Sequence, residues 1–229
     1  MNRNVRYVAI ALLSAMASLG VATAQQLTEG FEGTFPPTGW IVRNQSTVVG
    51  TNTNCWNLFT AATPWTAHGG ANHTGANFNC TTGANTISGW LISAPIANFQ
   101  NGNQVSFWTR KGATDTFADR MEVRLCLDVA AGSCGLAGST GATSTDVGDF
   151  TTLITSINPT LVLGVYPTAY TQFTVTLSGL PAGPNPGRIA FRYFVTSGGP
   201  SGANSDIISI DDVLVTDTVP VELMSYEID

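Results

Sequence analysis

Apolar and polar residues alternate with a period of two in successive stretches of this chain. Val105 and Phe107 alternate with Ser106 and Trp108, and Phe173, Val175 and Leu177 with Thr174 and Thr176. Met121, Val123, Leu125 and Leu127 alternate with Glu122, Arg124, Cys126 and Asp128. Ile189, Phe191, Tyr193 and Val195 line one face of residues 188–196, with Arg192 but also Phe194 opposite. Ile208, Ile210 and Leu214 read as one face of a last strand over 206–216. A period of two is the signature of a half-buried strand. No segment after residue 24 holds a helical period, because Gly, Asn, Thr and Pro interrupt each one. Turn signals at Gly102, Lys111-Gly112, Gly179 with Pro181, Pro184 to Gly187 and Ser197 to Gly202 separate the runs. Many short strands between Gly and Pro turns predict an all-β sandwich or barrel. Segments 44–86 and 129–150 read as long loops carrying weak strands.

The start of the chain has another logic. Arg3 and Arg6 precede the uncharged stretch YVAIALLSAMASLGV, and Ala22-Thr23-Ala24 follows. A basic start, an apolar stretch shorter than a membrane span and small residues before the cut describe an export signal. Residues 1–24 are therefore expected to be removed, leaving Gln25 first and a single domain over 25–218, with 219–229 as a tail. No later stretch approaches the length of a membrane span.

Composition narrows the function. Charged residues make up 10% of the chain, and fifteen acidic residues face nine basic ones. Without Arg3 and Arg6 seven basic residues remain, a net charge of −8, and Lys111 is the sole lysine. Such a chain is not expected to bind nucleic acid, which calls for dense Lys and Arg.

The cysteines fit export. Cys55, Cys80, Cys126 and Cys134 are an even set, which in an oxidising compartment reads as two disulfides. Cys126 and Cys134 flank a short Gly-containing loop that a disulfide can close, which leaves Cys55 for Cys80. No C-x-x-C spacing points to zinc.

No catalytic constellation stands out. The two histidines, His68 and His73, share the loop HGGANH, and neither H-E-x-x-H nor G-x-S-x-G occurs. Asp119, Glu122 and Asp128 read as a solvated strand face. Of the five tryptophans, Trp65 in ATPWTAHGG is the candidate for stacking on a sugar ring, while Trp40, Trp90 and Trp108 read as core. Asp211 and Asp212 sit inside the apolar run IISIDDVLV. In an extended strand they point to opposite faces, so one is drawn from water and needs a cation or several donors. Arg188 and Arg192 are the plain partners, and Ca²⁺ is the sharper one.

TEGFEGTFPPTGWIV, GWLISAPIANFQNGNQVSFWTRKG, DRMEVRLC and GRIAFRYFVTSGGPSGANSDIISIDDVLV, in that order, resemble the choice-of-anchor J and cleaved-adhesin domains of secreted bacterial proteins. These are similar in turn to MAM-like jelly rolls. The resemblance runs from about Leu27 to Val215. It implies a jelly-roll sandwich, extracellular and non-catalytic, used in contact with a cell-surface or matrix protein or a glycan. It also implies structural calcium, with Glu32 of the Phe-Glu-Gly opening joining Asp211 and Asp212, and Glu29 as a further ligand. The expected function is an adhesin-like binding or structural module; the alternative is a carbohydrate-binding module of a polysaccharide-degrading system.

Overall fold

The structure, a computed structural model, describes residues 22–219 apart from 61, 115 and 129–131. Residues 1–21 of the export signal expected over 1–24, and residues 220–229 of the expected tail, lie outside the described residues, while residues 22–24 belong to the first strand. Two antiparallel sheets pack face to face. In the first, β10 (Thr171–Thr176), β7 (Gln104–Lys111), β12 (Ile207–Val219), β4 (Asn72–Asn77) and β3 (Trp56–Thr60) follow one another. β1 (Ala22–Glu29) shares an edge of β12 with β4, each taking one half of that long strand. The second sheet runs β2 (Ile41–Asn44), β5 (Asn85–Ile92), β11 (Asn185–Gly198), β8 (Met121–Leu127) and β9 (Thr152–Ile157). There β6 (Ile96–Phe99) and β5 share an edge of β11 in the same way. No α-helix occurs among the described residues, only single 3-10 turns at Phe78–Cys80 and Ser133–Gly135. The fold is a β-sandwich, one of the two forms that the alternation predicted, and a jelly roll, as the resemblance implied.

The core lies between the sheets. Val105 and Phe107 of β7 meet Met121, Val123 and Leu125 of β8 and Ile189, Phe191, Tyr193 and Val195 of β11, all buried. Phe107 packs edge-on to Phe191 at 5.2 Å between centroids. Burial of such side chains, each contributing about 1.5–3 kcal/mol, is what holds two sheets together. Cys55–Cys80 and Cys126–Cys134 are disulfide-bonded. Each ties down one of the two long loop segments.

Two readings of the alternation need correction. First, β12 does not keep one phase. Its pairing with β7 shifts between Asp211 and Leu214, and Asp212 takes a left-handed φ of 46°. A bulge inserts a residue and flips the side chains beyond it. Ile208, Ile210, Val213 and Val215 therefore face the core, and Leu214 turns outward. Second, β8 and β11 are buried on both faces. A second apolar cluster of Trp90, Ile92, Cys126, Cys134, Phe150 and Ala190 lies on the outer side of their sheet. Val147 and Phe150, from the segment that follows the Cys126–Cys134 disulfide, pack there.

Candidate functional site

The outer face of the first sheet is built from the polar phase of its strands. Trp108 and Arg110 come from β7, Phe59 from β3, His73 from β4, Ser209 and Asp211 from β12, and Gln172 from β10. Loop 62–71 arches over the centre of this face. It lays His68 flat on Trp108 at 3.7 Å and Trp65 over His73 at 6.1 Å. The guanidinium of Arg110 stands 4.5 Å from the Trp65 ring and 5.6 Å from that of Tyr170. These are cation–π distances.

The β12 bulge supplies the acidic floor. Because of it, Asp211 and Asp212 both serve loop 62–71 rather than opposite faces of a strand. Asp211 Oδ2 accepts from the His68 and Gly69 amides at 2.8 and 3.2 Å, and Oδ1 from the Asp212 amide at 2.9 Å. Asp212 Oδ2 meets His68 Nδ1 at 2.6 Å. Neither carboxylate uses Arg188 or Arg192: Arg188 donates to the Gly39 and Ser93 carbonyls, and Arg192 pairs with Glu122. Asp211 is fully buried, and that burial, with Asp212 adding to it, pushes its pKa up to about 6 against the pull of the three amides.

Glycine lets the loop come this close. A Cβ on Gly69 would stand 2.6 Å from Asp212 Oδ2, and one on Gly70, whose φ is +62°, 2.1 Å from Glu32 Oε1. Glu32 Oε1 accepts from the Ala71 and Asn72 amides at 2.9 and 3.0 Å. Glu29 Oε1 accepts from Phe31 at 2.7 Å, and burial raises its pKa. The four carboxylates expected as ligands thus gather along one seam between the chain start, the loop and β12. Among the described residues, no three His, Cys, Asp or Glu side chains form a group that could hold a metal ion.

Trp65, the tryptophan singled out for sugar contact, is partly buried under Arg110 and against His73. Trp108, read as core from its strand-like surroundings, is instead partly exposed on the outer face. It lines a groove of about 260 Å³ with Gln25, Thr28, Ser106, Gln172 and Asp212. The signal for this was available: Trp108 shares its phase with Ser106 and Arg110, not with Val105 and Phe107. Trp40, Trp56 and Trp90 are buried. On the same face, Trp65, His73 and Tyr170 form a cluster of aromatic rings with polar edges under Arg110, and the Tyr170 hydroxyl lies close to Trp65 and Ser209.

No family model matches the chain, and no curated protein is similar to it. Among solved structures it is similar to the K1 cleaved adhesin domain of Lys-gingipain from Porphyromonas gingivalis W83. That match has a TM-score of 0.49 and 21% identity, over 85% of this chain and 97% of that one. It is also similar to TmCBM61 in complex with β-1,4-galactotriose, with a TM-score of 0.45 and 16% identity over 81% and 92% of the two chains. A cyclase from Fischerella sp. TAU has a TM-score of 0.49 and 13% identity, over 87% and 100%. The likeness is one of chain path and says nothing of a ligand.

Proposed function

We propose that this chain is an exported, non-catalytic binding module of adhesin-like type that holds a saccharide on the outer face of its first sheet. The observation that carries the reading is the groove along Trp108. An indole set among a hydroxyl, two amides and a carboxylate matches a pyranose, which has an apolar C–H face and a rim of hydroxyls. Gln25, Gln172, Ser106 and Asp212 supply donors and acceptors at the rim, and His68 fixes the ring by stacking on it. The sequence motifs shared with choice-of-anchor J and cleaved-adhesin domains support the same reading, as does the export signal expected over 1–24. A protein surface as partner is the competing outcome.

A glycan array followed by titration with the best ligand tests it. Trp108→Ala is expected to weaken binding by about tenfold or more, the loss of a central aromatic contact. Trp65→Ala is expected to change it less. Binding unaffected by Trp108→Ala, or retained only on protein or cell surfaces in the presence of free sugars, overturns the saccharide reading.

Calcium belongs to the proposal as a structural ion. Its support is the donor chemistry: Glu29, Glu32, Asp211 and Asp212 are oxygen ligands on one seam, two of them with pKa values raised by burial. When bound, the ion supplies positive charge joining the chain start to β12. In the described geometry the carboxylates already take loop amides and His68 as partners, so ion uptake would exchange some of those hydrogen bonds.

A further inference from the structure

The sole lysine of the chain lies in the interior. Lys111, at the end of β7 in the first sheet, and Asp119, just before β8 in the second, are both fully buried. Lys111 Nζ is 3.2 Å from Asp119 Oδ2 and also contacts the Phe117 carbonyl. The two oxygens of Asp119 are treated differently. Oδ1 accepts two hydrogen bonds, from the Tyr193 hydroxyl at 2.6 Å and the Asp206 amide at 2.9 Å. Oδ2 has no hydrogen bond of good geometry, although the amine is beside it. The amine thus approaches the carboxyl group off the directions an ion pair would choose.

We propose that Lys111 and Asp119 are joined by an intramolecular amide bond, a covalent staple between the two sheets formed without an external enzyme or cofactor. A buried ion pair is costly unless all its lone pairs are met. Transfer of one proton from ammonium to carboxylate gives a neutral amine beside a neutral acid, the form that a dry interior favours. Burial raises the pKa of Asp119 in that direction. Nζ then attacks Cγ. The negative charge that develops on Oδ1 is met by the Tyr193 hydroxyl and the Asp206 amide, two donors already aimed at it. The Nζ–Cγ bond forms, the Cγ–Oδ2 bond breaks, and Oδ2 leaves as water with the two protons the amine and acid give up. Nothing is oxidised or reduced. Fixed contact replaces the entropy cost of bringing amine and acid together. A cavity of about 100 Å³ is lined by Phe117 and Asp206, the residues whose backbone contacts Lys111 and Asp119. The product removes both buried charges and the unmatched oxygen at once.

Mass spectrometry of the folded, purified chain decides the matter. Its intact mass is expected to lie one water, about 18 Da, below that of the sequence with its two disulfides. Trypsin cuts after Arg110 and Arg120, so both residues fall in one peptide, KGATDTFADR. That peptide should carry the whole loss, resist cleavage after Lys111 and fragment as a ring closed at Asp119. Lys111→Arg, which keeps the charge but lacks the primary amine, should show the full mass. Tyr193→Phe should slow the loss of water in freshly folded protein. A native chain of full mass that trypsin cuts after Lys111 overturns the proposal, whatever the variants do. So does a water loss that maps to Asp115 or to another peptide.

Discussion

The sandwich has two outer faces, and a buried apolar cluster closes the centre of only one of them. On the second sheet Trp90 packs against Phe150 at 5.6 Å, and the Cys126–Cys134 disulfide closes the segment above. Arg192 is buried there with its needs met: Glu122 at 3.2 Å, Ser88 at 3.1 Å and the Ser144 carbonyl at 2.7 Å. Its guanidinium also lies 4.7 Å from the Trp90 ring and 3.8 Å from that of Phe194. Burial lowers the pKa of Arg192 to about 10, yet it stays charged at neutral pH. For Glu122 burial pulls the pKa up, but the bond from Arg124 and the charge of Arg192 outweigh it and hold the group low. The first sheet is covered instead by a glycine-rich loop held through amides and one His–Asp contact. The same architecture uses a satisfied charge cluster as a second core on one side. On the other it leaves aromatic and polar side chains facing a groove.

The largest expected effect breaks the sealed face. Arg192→Ala leaves Glu122 with Arg124 alone and opens space beside Trp90, and should cost about 3–5 kcal/mol of stability. Arg192→Met, which fills the space without the charge, should recover part of it. Urea unfolding of the three proteins provides the measurement, with saccharide binding by any folded fraction expected to be unchanged. A loss under about 1 kcal/mol would mean that the cluster is no core at all.

The contrast between the faces was only half legible in the sequence. Inward positions of β7, β8, β10 and β11 follow from period-two alternation, because one face of each strand meets the opposite sheet. The outward faces do not, because what covers them comes from distant segments. Glu122, Arg124 and Arg192 look like solvated positions, yet residues 134–150 cover them; only the oddly apolar Phe194 hinted at it. The same limit misplaced Trp108. The β12 bulge was invisible for a different reason, since a left-handed Asp is uncommon and no glycine marked the spot. With it unseen, Asp211 and Asp212 read as opposite-facing. Their real partners, in loop 62–71, carry no signal beyond the pair of glycines that lets them approach.

A middling effect is expected at the seam of the open face. The folded pKa of Asp211, about 6, is above its ordinary 3.8 because burial disfavours the charge. The folded chain therefore holds this proton more tightly than the unfolded chain. Its contribution is fully present below the unfolded value and is lost as pH rises from about 4 to 6. The difference is on the order of 2–3 kcal/mol. Wild type should thus lose stability between pH 4 and 7 relative to Asp211→Asn, measured by urea unfolding at both values. A bound calcium ion would stabilise the carboxylate instead, so excess calcium should raise the wild-type thermal midpoint at pH 7 and flatten the difference. Equal midpoints in calcium and in chelator, with no bound metal by elemental assay, would remove the ion from the proposal. Parallel pH profiles for the two proteins would remove Asp211 as the titrating group.

The smallest effect should come from His68, and its value is that it separates the faces most finely. Its imidazole is about a third exposed, at 31%, and pairs with Asp212 at 39%. Water screens such a contact, and with the stacking on Trp108 it should contribute only about 1 kcal/mol. His68→Ala keeps the amides that Asp211 holds, so the loop should stay docked but open more often. Hydrogen exchange at Gly69, Ala71 and Asn72 should quicken severalfold, while β8 and β11 exchange as before. Opening that involves the loop alone has a lower free energy than global unfolding, so the two rates can move independently. Saccharide affinity should change modestly, because Trp108 loses the ring that fixes it but gains an open face. Faster exchange in β11 as well, or a global loss above about 2 kcal/mol, would show that the loop is part of the core and that the first face is sealed like the second.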